Sequence, residues 1–301
     1  MIWAIVGVAV SFFLYRVFAN PARSARALWF SSMRAYGRKR WRIAAEFCHE
    51  GLANAAKLKE PLRSRLEAPL EIQLARVLHR QGKLAEAEET LARGLAKAQN
   101  LFAANSEMLL AAELLWGDLC SDTGRHTEAE AHYRKAVEGD EAAANLPGTI
   151  FDLQRLTDCL MRQGRMREAE QVCLQAIGAE LRQTRQLAAR QGRDLDNSVI
   201  TAISQPKLHF CREQYDEAAE VLRAQVENWK TAPHRPDNID IGEMLIFLAL
   251  SETRAGQLET AAATYEQAAA QFESDWCAGH PKAIAARAAK AALELPAPVQ
   301  A

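Results

Sequence analysis

The sequence lacks the features that identify most catalytic, nucleic-acid-binding and disulfide-stabilised proteins. Its 37 basic and 38 acidic side chains give a formal net charge of −1, so no overall field attracts nucleic acid. Its six cysteines stand singly, without a C-x-x-C pair, which argues against a disulfide framework and indicates a reducing compartment. No G-x-S-x-G, phosphate-binding loop or H-E-x-x-H motif is present. We therefore expect neither an enzyme nor a bound cofactor or small-molecule substrate.

The histidines give no sign of a metal site either. The seven of them show no metal-ligand spacing along the chain. His126 and His132 are six residues apart, and on a helix that separation places them on different faces. We expect no bound metal from this pattern.

The first eighteen residues, MIWAIVGVAVSFFLYRVF, form an apolar run with no charge before Arg16. As a helix they would rise about 27 Å, close to the thickness of the hydrocarbon core of a bilayer. We interpret residues 1–18 as an uncleaved transmembrane anchor. A cleaved signal peptide and a buried terminal helix are the alternatives, but a signal peptide carries its positive charge before the apolar run rather than after it.

A basic segment without any acidic residue follows this run, between Arg16 and Ala45. Lys and Arg next to a membrane segment favour the cytoplasmic side, so we expect the N-terminus outside and the body in the cytoplasm. A basic, aromatic helix beside a bilayer can also rest on anionic headgroups; the alternative is a topology signal without lipid specificity. The residues predicted to contact the membrane surface are Arg16, Arg23, Arg26, Trp29, Arg34, Arg38, Lys39 and Arg40.

The rest of the chain repeats one short amphipathic helix, which can be aligned on a single alanine. The aligned residues are Ala44, Ala87, Ala129, Ala169, Ala218 and Ala261, with spacings of 43, 42, 40, 49 and 43 residues. A glycine precedes four of them by five positions, at Gly82, Gly124, Gly164 and Gly256, and a second helix-length apolar run lies upstream of each glycine. This near-constant period predicts helical hairpins that stack into a solenoid.

The repeated residues resemble the tetratricopeptide repeat (TPR) family. The match is clearest in the series Gly117, Gly124, Ala129, Tyr133 and Ala136. The period near 42, and the Gly-His-Pro segment that begins at residue 279, resemble the kinesin-light-chain-type subgroup. The resemblance implies an all-α fold, an α-solenoid of about five units over residues 67–295. We place the anchor at 1–18, basic juxtamembrane helices with a degenerate repeat at 19–66, and a tail at 296–301.

The fourth repeat departs most from the pattern. Its spacing of 49 is the longest, Pro206 occupies a position that is small in other repeats, and Gln225 replaces a second small residue. Since proline disrupts a helix interior, the first helix of this repeat should kink or begin at Pro206. We also expect the preceding helix to be lengthened.

The TPR resemblance implies a concave groove lined by the first helix of each unit. Carrying over the inward positions predicts these groove residues: Ile72, Arg76, His79, Arg80, Leu114, Asp118, Asp122, Gln154, Asp158, Arg162, Lys207, Phe210 and Arg254. Their mixed charge and apolar members predict a protein segment of mixed charge with apolar anchors as the partner.

Together these features predict a membrane-anchored scaffold or adaptor that recruits a partner protein to the membrane. The alternative is a structural or assembly subunit of a membrane protein complex that packs through its transmembrane helix. The layout resembles bacterial inner-membrane TPR adaptors, and also mitochondrial outer-membrane import receptors.

Overall fold

The fold is all-α, an α-helical solenoid. A computed structural model describes residues 20–103, 106–191, 204–231 and 240–294. Thirteen helices lie within these residues: α1 (Pro21–Gly37), α2 (Trp41–Ala55), α3 (Leu62–Arg80), α4 (Leu84–Ala98), α5 (Glu107–Asp122), α6 (His126–Ala142), α7 (Leu146–Arg162), α8 (Met166–Gln191), α9 (Gln205–Cys211), α10 (Tyr215–Thr231), α11 (Ile241–Arg254), α12 (Leu258–Asp275) and α13 (Pro281–Glu294).

The predicted membrane anchor at residues 1–18 and the predicted tail at 296–301 lie outside the described residues. Within the described part of the chain, no helix is both long and apolar enough to cross a membrane.

The chain divides into two compact units, the first ending at Leu119 and the second starting at Cys120. In the first unit, buried side chains of α3 and α4 form a core with Cys48 of α2 and the apolar face of α5. In the second unit, a core of α10, α11 and α12 includes Phe272 and is completed by Ala283 and Ala286 of α13. Each core is built from short helices that could not bury their apolar faces alone.

The first and second helices of each repeat are joined by one recurring turn. The residue five positions before each aligned alanine has a positive φ. In four copies it is glycine, as at Gly82 (φ 72°) and Gly256 (φ 80°). In the other two it is Lys39 (φ 55°) and Glu213 (φ 61°). The turn therefore recurs even where the glycine is missing, and the degenerate copy around Ala44 is a sixth connection of the same kind.

Small side chains let the paired helices approach closely. All six aligned alanines have no exposed surface. Between hairpins, a Cβ built on Gly51 of α2, seven residues after Ala44, would lie 2.7 Å from the Leu70 side chain of α3, too close for real atoms. The pairs α1–α2, α3–α4, α7–α8, α9–α10 and α11–α12 pack as hairpins. The predicted helical hairpins are confirmed for these five pairs.

The fourth repeat differs in the way that its sequence predicts. Helix α9 begins at Gln205 with Pro206 in its first turn and has only 7 residues. The preceding α8 has 26 residues. A proline in the first turn costs no hydrogen bond, because the first N–H groups of a helix have no partner within it.

Replacing Glu213 with glycine should stabilise the protein. A non-glycine residue in the left-handed region is strained, and glycine removes that strain at a smaller entropic cost. We expect Glu213→Gly to raise the free energy of unfolding by about 0.5–1 kcal/mol. Gly124→Ala, at a φ of 79° with open space around the added Cβ, should lower it by about 1 kcal/mol. Denaturant unfolding followed by circular dichroism measures both, and equal midpoints for the two variants would contradict this explanation.

Candidate functional site

A cavity of about 160 Å³ in the second unit is the best candidate binding site. It lies among α7, α9, α10 and α11. The side chains that line it are Phe151, Gln154, Arg155, Asp158, Met161, Arg162, Pro206, Lys207, Leu222, Gln225, Asp240, Glu243, Met244, Ile246, Phe247 and Leu250. First helices of three successive repeats thus contribute to one concavity, as expected from the TPR resemblance. Both residues that set the fourth repeat apart, Pro206 and Gln225, belong to its lining.

One side of the cavity is apolar. Half-buried side chains of α11, among them Met244, Phe247 and Leu250, face it. The predicted groove residue Phe210 does not line the cavity but supports it from behind. It is 3% exposed, and its ring centroid lies 5.2 Å from that of Phe247. Phe210 is therefore a core residue that fixes the orientation of a lining residue.

The other side carries paired charges from α7 and α9. Lys207 Nζ lies 2.8 Å from Asp158 Oδ1 and donates to the Gln154 carbonyl oxygen at 3.2 Å. The Gln154 side chain donates to Glu180 at 2.8 Å. These contacts bring together three predicted groove residues, Gln154, Asp158 and Lys207, which are up to 53 positions apart.

A second charged cluster surrounds Glu243 at the start of α11. Lys282 of α13 pairs with Glu243, and its Nζ lies 3.2 Å from Asp122 Oδ1. Arg162 Nη2 lies 4.0 Å from Glu243 Oε2, and its Nη1 donates to Ser121 Oγ at 3.4 Å. The predicted residues Asp122 and Arg162 thus meet in one cluster of ion pairs.

The charges of this cluster shift the pKa of its members. Burial alone would raise the pKa of Glu243, but Lys282, Arg155 and Arg162 outweigh it and lower that pKa to about 2. Burial would lower the pKa of Lys282, but Asp122 and Glu243 raise it above its ordinary value. Both groups are therefore ionised at neutral pH.

The predicted groove residues on α3 of the first unit differ in burial and in the residues that they contact. Ile72 and His79 are buried, at 4% and 3% exposure, because the α1–α2 hairpin packs on α3. Arg76 and Arg80 turn towards Tyr36 of α1. The Arg76 guanidinium lies 5.9 Å from the ring centroid, and Arg80 Nε donates to the hydroxyl at 3.0 Å.

The remaining predicted groove residues do not line the cavity. Leu114 and Asp118 are half-buried on α5, and Arg254 is exposed at the end of α11. The positions carried over from the TPR resemblance include Gln154, Asp158 and Arg162 of α7, which line the cavity, but not Glu243 and Phe247. The signal for Phe247 was available, since it lies one position after Ile246 in an apolar run that contains no other aromatic residue.

The basic segment of the first unit forms a separate surface. Arg23, Arg26, Arg34, Arg38, Lys39 and Arg40 are exposed and Trp29 is half-buried, while Arg16 lies outside the described residues. Three of the arginines line a depression of about 240 Å³ that contains no acidic residue. Its lining is Ser31, Arg34, Ala35, Arg38, Arg40, Ile43 and Phe47.

Comparisons with known proteins agree with this architecture. The tetratricopeptide repeat family matches residues 66–142, which confirms the predicted repeats in that part of the chain. No curated protein sequence matches the chain. Residues 66–142 match the TPR family, and the described part of the chain is an all-α helical repeat fold.

Solved structures with TM-scores above 0.5 show the same fold at low sequence identity. Aspartyl phosphate phosphatase F from Bacillus subtilis is 14% identical with a TM-score of 0.57, over 95% of this chain and 74% of that one. A Rap protein complexed with competence and sporulation factor is 13% identical with a TM-score of 0.55, over 94% and 79%. The TPR-like repeats of a candidate kinesin light chain from Podosopora anserina are 16% identical with a TM-score of 0.44, over 85% and 97%.

Glu243→Gln should destabilise the protein at neutral pH and much less in acid. Because the folded state lowers the pKa of Glu243 from 4.5 to about 2, its carboxylate contributes stability above about pH 4.5, and that contribution is lost as the pH falls towards 2. We expect a loss of about 1–3 kcal/mol at pH 7. Melting temperatures of both proteins across pH 2–8 measure it. Glu259→Gln, at an exposed position of α12, is the control, and an unchanged gap between parent and Glu243→Gln across that range would contradict the prediction.

Proposed function

We propose that this protein is an adaptor that binds a segment of a partner protein in the cavity of the second unit. The observation that carries the proposal is the convergence of inward-facing residues from three repeats on one concavity that is apolar on one side and charged on the other. Concave, largely apolar pockets with a few placed polar groups are the usual form of a binding site. The described residues around the cavity suggest recognition rather than catalysis.

The size and chemistry of the cavity define the segment that would fit. A cavity of about 150 Å³ accommodates a benzene ring, so this one has room for one large apolar side chain of the partner. Charges of both signs flank that space, at Asp158, Lys207 and Arg155. A segment with one apolar anchor between residues of opposite charge is therefore the best match.

The fold is compatible with this use. The Rap protein complexed with competence and sporulation factor has the same fold and was solved with that factor. The low identity extends this likeness to the fold alone. For this chain, the proposal depends on the lining of its own cavity.

We also propose that residues 1–18 anchor the protein in a membrane. Residues 1–18 have the length and apolar character of a membrane anchor. The helices that follow them, α1 and α2, support this because the arginine-lined depression on these helices suits anionic lipid headgroups. With the basic residues on the cytoplasmic side, the helical body would lie in the cytoplasm. Anchoring would raise the local concentration of a captured partner at the membrane.

A charge placed in the cavity should abolish capture of the partner. Leu250→Arg puts a guanidinium where we expect the apolar anchor, and desolvating it should reduce recovery of bound proteins at least tenfold. The full chain is purified in mild detergent from membranes of its source, and co-purifying proteins are quantified by mass spectrometry. Proteins that depend on the cavity are those lost with this variant.

A matched substitution on the outer surface controls for the added charge. Leu258, on α12, is 48% exposed and does not line the cavity, so Leu258→Arg should recover the same proteins as the parent. Both variants should show the parent's helical content. If Leu250→Arg retains every partner, the cavity is not the binding site. If partners are then lost when residues 1–18 are deleted, that result would favour the alternative function, a subunit of a membrane complex that packs through its anchor.

Neutralising the arginine-lined depression should remove a preference for anionic membranes. At about 1 kcal/mol for each basic residue near a charged surface, the triple variant Arg34→Gln, Arg38→Gln, Arg40→Gln should lose a preference of roughly a hundredfold. Flotation of the full chain with vesicles of phosphatidylglycerol or of phosphatidylcholine alone measures the preference. The control is Arg167→Gln, Arg182→Gln, Arg185→Gln, which removes the same charge from exposed positions of α8. Equal preferences for the two triple variants would show that the depression has no specific role.

A further inference from the structure

We propose that Cys120, Glu128 and His132 form a binding site for a zinc-class divalent cation. All three belong to the second unit, Cys120 on the last turn of α5 and the other two on α6. One ligand atom from each, the thiol sulfur, a carboxylate oxygen and an imidazole nitrogen, lies within 4.8 Å of the other two. This site is independent of the cavity and of the adaptor proposal.

The local fold explains how these side chains meet. Gly124, at φ 79°, reverses the chain between the two helices, and the Arg125 N–H donates to the Cys120 carbonyl at 2.8 Å. Glu128 and His132 are four residues apart, so they lie on the same face of α6. The sequence comparison of His126 with His132 missed the site, because the partners of His132 are an acid four residues before it and a thiol on the preceding helix.

Two of the other repeats hold apolar or uncharged residues at the positions of Cys120 and His132, whereas the fourth and fifth repeats hold His209 and Glu252 at the position of Cys120. The position of Cys120, nine before the aligned alanine, is Leu78 in one repeat and Leu160 in another, both buried. The position of His132, three after the alanine, is Thr90 or Val172 in the same repeats. The acid is shared, as Glu86 and Glu168. Only the α5–α6 repeat, among those described, combines a thiol and an imidazole with that acid.

This double replacement suggests a role beyond packing. A leucine buries more apolar surface than a cysteine and fills the space between helices better. Cys120 has no exposed surface, Glu128 is exposed and His132 is half-buried. The three ligands therefore range from fully buried to exposed. A metal bound by all three would keep a fourth coordination position open for water.

The chemistry of the three donors selects the metal. Zinc takes thiolate, imidazole and carboxylate ligands, and tetrahedral bonds imply ligand separations of about 3.3–3.6 Å. The three separations, each at most 4.8 Å, would have to shorten by up to about 1.5 Å. Rotation of the exposed Glu128 and the half-buried His132 side chains can supply this change. On binding, the thiol of Cys120 gives its proton to solvent, and the thiolate and carboxylate balance the charge of the cation. A thiolate and an imidazole disfavour magnesium and calcium.

A neighbouring arginine would complete the site. Arg125 Nη1 lies 3.3 Å from Glu128 Oε2. One carboxylate oxygen can bind the metal while the other keeps this contact, which would orient the ligand from outside.

The full chain in detergent is first stripped of metals by chelation and then dialysed against micromolar zinc. The amount of zinc bound per chain is then measured. We expect one zinc per chain for the parent, and less than a tenth of that for Cys120→Leu and for His132→Thr. Each variant installs the residue that another repeat uses at that position, so both should fold. Cys277→Ser removes a half-buried thiol elsewhere and should still bind one zinc.

Two further readouts link the metal to these ligands. Cobalt should give the parent an absorption band from thiolate-to-metal charge transfer that Cys120→Leu lacks. Zinc should raise the melting temperature of the parent but not of either variant. A parent that binds less than a tenth of an equivalent of zinc would overturn the proposal. So would wild-type zinc binding by both Cys120→Leu and His132→Thr, since the metal would then bind elsewhere.

Discussion

The packing of a fully buried alanine against a neighbouring helix is the contact on which the rest of the structure depends. It requires the chain to reverse within a few residues, and that reversal requires a left-handed residue five positions earlier. Where glycine is absent, as at Lys39 and Glu213, the chain accepts the strain rather than lose the contact. The turn therefore follows from the packing, and this explains why a repeat without its glycine still forms the same connection.

The candidate cavity arises where this regular packing is interrupted. A seven-residue α9 leaves less helix to fill the space between α7 and α11. Pro206 and Gln225, which stand in place of small residues, line the resulting space instead of closing it. The same interruption brings Lys207 to Asp158. The irregular sequence of the fourth repeat thus shapes the candidate cavity.

Much of the fold could be predicted from the sequence, because alanine and glycine spacings directly reflect helix contacts. Groove positions such as Gln154 and Asp158 were predicted from the TPR resemblance, and both line the cavity. The burial of Ile72 and His79 could not be predicted, since it depends on how the degenerate repeat packs against α3. Nor could the Glu243 cluster, because Asp122 and Lys282 meet across 160 residues of chain, and no local pattern records such a contact.

The two charged surfaces imply different modes of binding. In the cavity, Lys207 and Glu243 already have partners within the protein, so a ligand gains little from their charge and must derive its affinity from apolar burial. The paired charges would then act on specificity by rejecting segments that cannot match them. In the depression on α1 and α2 no acidic residue offsets Arg34, Arg38 and Arg40, so binding there would be electrostatic. Salt should therefore weaken contact with a lipid surface while leaving capture of a partner largely intact.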